Sequence, residues 1–248
     1  MNSSNSSLYG KGIFTTIAVF NAKPTLWDKH WQRLTNDAST IGVDLSEFSE
    51  ASIFSALTQE IAANGITDGR ARLTFLDERS SDIWPAETKQ NTNMSILVGE
   101  RRPLPAKFSI TASPYRVNTY SPLVGVKSCN YLENLLGIEE ARGRGFHEAI
   151  RINHRGEIVG GCMSNIFWLK QGRLFTPHLD TGCLPGTTRE YIIENLECEE
   201  IRQPIDTLSS VESIFMTSAG LGIVRVNDLD GRTFDEIDHP INKLWPPN

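Results

Sequence analysis

One stretch divides this chain. Residues 116–128, RVNTYSPLVGVKS, carry a proline break and a glycine break and no apolar period. They read as a linker, so the runs on either side are read as separate domains. The 248 residues then divide into a disordered polar tail over 1–7, an N-terminal domain over 8–115, an interdomain linker over 116–127 and a C-terminal domain over 128–248.

Before the linker, GIFTTIAVF (12–20) is β-branched and aromatic, a strand pattern. In LWDKHWQRLTNDASTIGV, Leu26, Trp27, Trp31, Leu34, Ala38 and Ile41 recur at helical spacing. FSEASIFSALTQEIAANG repeats that pattern and stops at Asn64-Gly65, a helix-ending pair. RARLTFLDE, NMSILVGE and KFSITASPY are strands again. After the linker, NYLENLLGIEEARGRG predicts a helix whose apolar face is Tyr131, Leu132, Leu135, Leu136 and Ala141. EAIRIN, GEIVG, SNIFWLK and RLFTP predict a β-meander turning at HRGE and KQGR. PGTTREYIIENL predicts a helix, and ESIFMTSAGLGIVRV two strands around a glycine-rich turn. The fold class is α/β (α+β), with an α/β unit first and a β-rich domain with two helices second. A cleft between two such domains is a common place for a ligand.

Composition narrows the function classes. With 39% hydrophobic and 22% charged residues, the chain can bury a real core. Its net charge is −6 and its Lys and Arg form no stripe, which argues against nucleic acid as a partner. No apolar run approaches the ~20 residues that span a bilayer. MNSSNSS lacks the basic and apolar regions of a signal peptide, so a cytoplasmic location is expected. Cys129, Cys162, Cys183 and Cys198 have neither C-x-x-C spacing nor a histidine at ligand spacing, so no metal is expected and the thiols read as core-filling.

Three features carry chemistry. Lys127 sits among Val124, Val126 and Cys129, directly before a predicted helix. It is either a lysine that snorkels to the surface or an amine whose pKa is lowered by apolar surroundings and which can act as a nucleophile. LPGTTRE offers backbone N–H groups and two hydroxyls at a helix start, as a phosphate cradle or as an ordinary N-cap. MTSAGLG is a second turn of small residues, an anion-binding nest or a tight turn.

Taken together and in this order, GKGIFTT, HWQRL, SPLVGVKSCNYLENLL, EAIRIN–RGEIV, SNIFWLKQGRLFTP, LPGTTRE and FMTSAGLGIVRV resemble the class IV aminotransferase family, over residues 10 to 226. The resemblance implies the two-domain architecture of fold-type IV enzymes, an N-terminal α/β sandwich and a C-terminal β-rich barrel-like domain. It also implies pyridoxal 5′-phosphate (PLP) as cofactor, a small amino-acid-like substrate and a homodimer. Lys127 falls where the family's lysine carries the cofactor and shuttles protons. Tyr131 matches the tyrosine that bonds the cofactor's ring oxygen, Arg33 the arginine that grips its phosphate, and Thr187 and Thr188 the phosphate-binding helix start. Ser218 and Ala219 fall at a further phosphate contact, where Ala219 has only its backbone N–H to offer. Met163 and Ser164 are expected to face the ring. Thr15 and Thr16, as substrate contacts, resemble the 4-amino-4-deoxychorismate lyase subgroup, and Leu76-Asp77 argues against a D-amino-acid aminotransferase.

Two departures stand out. Gly160 occupies the position of the family's glutamate, which pairs with the pyridine nitrogen and keeps it protonated; Glu157 and Glu148 are the nearest acids. Lys11 stands where an aspartate is usual, and the N-terminal domain is trimmed or its true start lies upstream. Three functions follow: a lyase releasing pyruvate from 4-amino-4-deoxychorismate to leave 4-aminobenzoate for folate synthesis; an aminotransferase on a branched-chain or D-amino acid; or an impaired or non-catalytic homologue.

Overall fold

A computed structural model describes residues 4–80, 91–101 and 103–247. The chain forms two compact units. One comprises residues 1–102 and 126–131, the other 103–125 and 132–248.

The first unit has α1 (Asn5–Tyr9), β1 (Gly12–Phe20), β2 (Lys23–Pro24), α2 (Trp27–Ile41), α3 (Glu50–Ala63), β3 (Gly69–Asp77) and β4 (Thr92–Glu100). Its antiparallel sheet runs β2-β1-β3-β4. The helices form where the apolar spacing placed them. α3 starts at Ser49, whose hydroxyl accepts the Ser52 N–H, and α2 ends at Gly42 in the left-handed region. Leu34 and Ala38 of α2, Ile53 of α3 and Ile13, Leu73 and Phe75 of the sheet make its principal core.

The expected disordered tail is different from Ser4 onward; residues 1–3 lie outside the described residues. Ser4 caps α1 in a reciprocal capping box. Asn5 Nδ2 then donates to Asp77 Oδ2 at 3.3 Å, and Ser6 Oγ to Glu78 Oε1 at 2.5 Å. Asp77 also takes Lys11 at 3.3 Å and Arg79 at 2.5 Å. Its carboxyl lies at about 2: burial raises it, but bonds from Arg79 and Lys11 outweigh that.

The second unit has β5 (Ser109–Val117), α4 (Leu132–Gly143), β6 (Glu148–Asn153), β7 (Ile158–Gly161), β8 (Asn165–Lys170), β9 (Arg173–Pro177), α5 (Thr187–Asn195), β10 (Cys198–Ile201), β11 (Ser213–Ser218), β12 (Gly222–Arg225), β13 (Asp228–Leu229) and β14 (Arg232–Thr233). Two five-stranded sheets, β14-β13-β5-β6-β7 and β10-β9-β8-β11-β12, share a core that includes Ile110, Ile150, Ile152, Ile166, Trp168, Ile214 and Met216. The predicted meander therefore divides. β6 and β7 stay in one sheet, β8 and β9 in the other, and residues 161–164 carry the chain across.

Three expectations change here. KFSITASPY belongs to the second unit, because β5 pairs in parallel with β6, Ile110 opposite Glu148. Residues 126–131 return to the first unit, where the Phe14 N–H donates to Lys127 O and the Cys129 N–H to Gly12 O. The boundaries at 115 and 127 thus shift. The apolar face of α4 also differs from its prediction: Leu132, Leu135 and Leu136 are exposed, and Gly137, Ile138 and Ala141 are buried. A small residue is required there, since a methyl on Gly137 would stand 2.7 Å from Cys162 Sγ.

Candidate active site

In the first unit, β1 and α2 build the surroundings of Lys127. Alternation along β1 puts Phe14 and Thr16 on one face and Thr15 on the other. Lys127 Nζ lies 4.6 Å from the Phe14 ring centre and 4.8 Å from that of Tyr131, and it contacts Tyr131 Oη at 3.4 Å. The two rings meet edge to face at 5.2 Å. Arg72 covers Phe14, its Cζ 3.6 Å from the ring centre. Burial lowers the Lys127 amine to about 7, helped by the charges of Arg33 and Arg72 and opposed by Asp37. A large neutral fraction near pH 7 is what a nucleophilic amine needs.

On the other face of β1, Thr15 is fully buried. Arg33 Nη2 donates to its Oγ1 at 2.7 Å, and His30 Nδ1 lies 2.6 Å from the same oxygen. The Thr15 oxygen thus accepts from the guanidinium, which only donates, and joins it to the His30 ring. Burial, with the charges of Arg33 and Lys127, holds His30 well below its ordinary value and neutral. Asp37, one helical turn beyond Arg33, accepts the Lys127 backbone N–H at 3.1 Å. Burial raises its carboxyl against that bond and against the Arg33 and Lys127 charges. The Thr15 hydroxyl is therefore occupied with Arg33 and His30, and Thr16, opposite Arg72 in the sheet, is the more accessible of the pair.

In the second unit, α5 begins at Gly186 with no side-chain cap, so neither Thr187 nor Thr188 serves as an ordinary N-cap. Both are buried, and Thr188 Oγ1 has no hydrogen-bond partner. Gly186 is required by Asn165: a methyl there would stand 2.0 Å from Asn165 Oδ1. Asn165 Nδ2 donates to Leu184 O at 2.9 Å and so ties the start of β8 to this turn. Beside α5, β11 ends at Thr217-Ser218. Thr217 Oγ1 is buried without a partner, and Ser218 Oγ accepts the Leu221 N–H at 3.2 Å, closing the turn that contains Ala219.

The crossing at residues 161–164 is organised by Glu148. Its carboxylate accepts the Cys162 and Met163 N–H groups, each at 3.0 Å, and the Ser164 hydroxyl at 3.0 Å. Burial raises this carboxyl, while those bonds and the Ala149 N–H oppose the rise. Gly161 is squeezed: a methyl would meet Ser164 Oγ at 2.4 Å and Met216 Cε at 2.7 Å. Gly160 is less tightly held: a methyl there would make a close contact with Ser164 O at 3.1 Å and meet Asn165 Cα at 3.9 Å. Glu157 is held in the β6–β7 turn by Asn153 at 2.7 Å and Arg155 at 2.9 Å. Both nearby acids are thus engaged elsewhere. The residue opposite Gly160 across the strand pair is Arg151.

Lys127 and Tyr131 thus gather around Phe14 in the first unit, on the β1 face that also carries Thr16, and Arg33 and Thr15 lie on the other face. Gly160, Met163, Ser164, Thr187, Thr188, Ser218 and Ala219 lie in the second. Sequence reasoning passed over His30, Asp37, Asn165, Arg151 and the anchoring role of Glu148. The available signal was polar residues inside otherwise apolar runs.

The amino-transferase class IV family model matches residues 12–229. The chain is 30% identical to the aminodeoxychorismate lyase of Bacillus subtilis over 226 residues, 88% of this chain and 77% of that relative. A putative 4-amino-4-deoxychorismate lyase structure from Legionella pneumophila superposes with TM-score 0.88 at 26% identity, covering 97% of this chain and 90% of the other. The Escherichia coli branched-chain amino acid aminotransferase superposes with TM-score 0.88 at 25% identity, covering 97% and 85%.

Proposed function

The chain belongs to the class IV aminotransferase family of PLP enzymes, and we propose that it is a lyase converting 4-amino-4-deoxychorismate to 4-aminobenzoate and pyruvate. The observation that carries the catalytic reading is the Lys127 amine, lowered to about 7 and walled by Phe14 and Tyr131. Similarity to lyases and the Thr15-Thr16 pair favour the lyase over an aminotransferase.

The residues fit PLP. It needs an uncharged amine, which Lys127 offers, and donors for a phosphate. Arg33 is buried and oriented by Thr15, and the buried Thr188 hydroxyl lacks a partner. Arg33, Thr187 and Thr188 would hold the phosphate, with Ser218 and the Ala219 N–H as further contacts, and Tyr131 the ring hydroxyl. Met163, Ser164 and Gly160 would border the ring. When bound, PLP draws electrons from the carbon that carries the substrate amine. Lys127 Nζ would take the proton from that carbon, and a proton would pass to the departing three-carbon fragment. Thr16 is the side chain of its pair left to meet a substrate. A homodimer and a cytoplasmic location belong to the same reading; the exposed Leu132, Leu135 and Leu136 of α4 support the dimer.

Purified protein given PLP should develop a visible band that borohydride bleaches and that Lys127→Ala removes. Pyruvate should then form from 4-amino-4-deoxychorismate without a keto acid. A colourless protein sinks the PLP reading. Glutamate made from 2-oxoglutarate, without pyruvate release, replaces the lyase by an aminotransferase.

A further inference from the structure

We propose that Arg151 takes the place of the missing carboxylate at the cofactor ring, donating its Nε–H to an unprotonated pyridine nitrogen. The inference rests on the PLP reading above, which puts that nitrogen beside Gly160.

β6 and β7 run antiparallel with Arg151 opposite Gly160 and Ile150 opposite Gly161. Residues directly opposite in such a pair project to the same face. The Gly161 face is closed by Met216, Ser164 and Glu148. On the Gly160 face, a methyl would find only Ser164 O and Asn165 Cα within 4 Å. Apart from the close Ser164 O contact, the strand pair is open at Gly160, with Arg151 as its cross-strand neighbour.

Arg151 is 4% exposed. Its Nη1 donates to Asn134 Oδ1 at 2.8 Å and its Nη2 to Glu133 Oε2 at 3.2 Å. These two bonds fix the guanidinium plane. The third donor, Nε, is buried and has no partner. A buried N–H without an acceptor is destabilising, more so on a charged group. The group that completes it must be an acceptor. A protonated pyridine has none to give; an unprotonated one has its nitrogen lone pair. A guanidinium cannot act as the acceptor that a glutamate provides. Replacing a carboxylate by Gly160 and placing Arg151 opposite thus inverts the polarity of the ring-nitrogen contact. Glu148 and Glu157 do not restore it, since their carboxylates are held by the 161–164 crossing and the β6–β7 turn.

Two measurements test this. In PLP labelled with ¹⁵N and bound to the wild-type protein, the ring nitrogen should resonate as unprotonated, and in Gly160→Glu as protonated. Separately, the cofactor-free protein is titrated with PLP and with its analogue bearing carbon in place of the ring nitrogen. Wild type should prefer PLP by about tenfold, and Arg151→Met should narrow that preference to about threefold or less. A protonated nitrogen in wild type overturns the proposal, as does the same preference in both proteins, while attachment to Lys127 leaves the PLP reading standing. If neither compound attaches to Lys127, both fall. The nitrogen signal needs no Arg151 variant, so a misfolded variant leaves the test intact.

Discussion

The Lys127 cluster and the surroundings of α5 are both polar and buried, but they differ in how their groups are partnered. Around Lys127 the named groups hold one another: Arg33 to Thr15, Thr15 to His30, Lys127 to Asp37. Around α5 and β11, Thr188 and Thr217 bury hydroxyls with no partner. Buried polar groups are ordinarily satisfied. The first cluster is therefore tied together by these three bonds before any ligand arrives. The second keeps two buried hydroxyls free to take a partner.

The comparison can be broken by substitution. Thr15→Val should have the largest effect, lowering stability by about 2–4 kcal/mol in urea unfolding, because it removes the buried oxygen that both Arg33 Nη2 and His30 Nδ1 contact. A loss under ~1 kcal/mol would mean that the relay does not hold Arg33. Gly186→Ala comes next. Its methyl collides with Asn165, and overpacking of this kind costs about 1–3 kcal/mol, read in the same unfolding experiment. Thr188→Val should be nearly neutral, within about 1 kcal/mol, in the ligand-free protein, since no bond is lost. Its affinity for PLP should nevertheless fall. A large stability loss without ligand would show the hydroxyl to be already used.

Lys127 sharpens the contrast through pH. Its folded value is about 7 against an ordinary 10.5, so between these the unfolded chain holds a proton that the folded protein does not. Stability of the cofactor-free protein should therefore rise with pH across that window, and Lys127→Met should flatten the rise. The same slope in both proteins would refute the lowered amine.

Local pattern made much of this legible. β1, α2 and α3 follow their apolar periods, and Lys127 stood out as a charge in apolar company. What escaped was set by distant parts of the chain. β5 joins the second unit through a parallel pairing with β6, which no local pattern announces. The leucines of α4 suggested a buried face, yet the packing side is chosen by Gly137, where only a small residue admits Cys162. His30 matters through an oxygen fifteen residues earlier. Arg151 reads as one cation in a strand until register sets it opposite Gly160.

The two glycines of the crossing have different evolutionary prospects. Gly161 is trapped: any side chain collides with Met216 and Ser164. Gly160 needs its neighbour Ser164 O to yield only a few tenths of an ångström, and a glycine codon can become a glutamate codon by one base change. A carboxylate arriving there would stand on the Arg151 face of the strand pair. A substitution at Gly160 therefore asks less of the surrounding chain than one at Gly161.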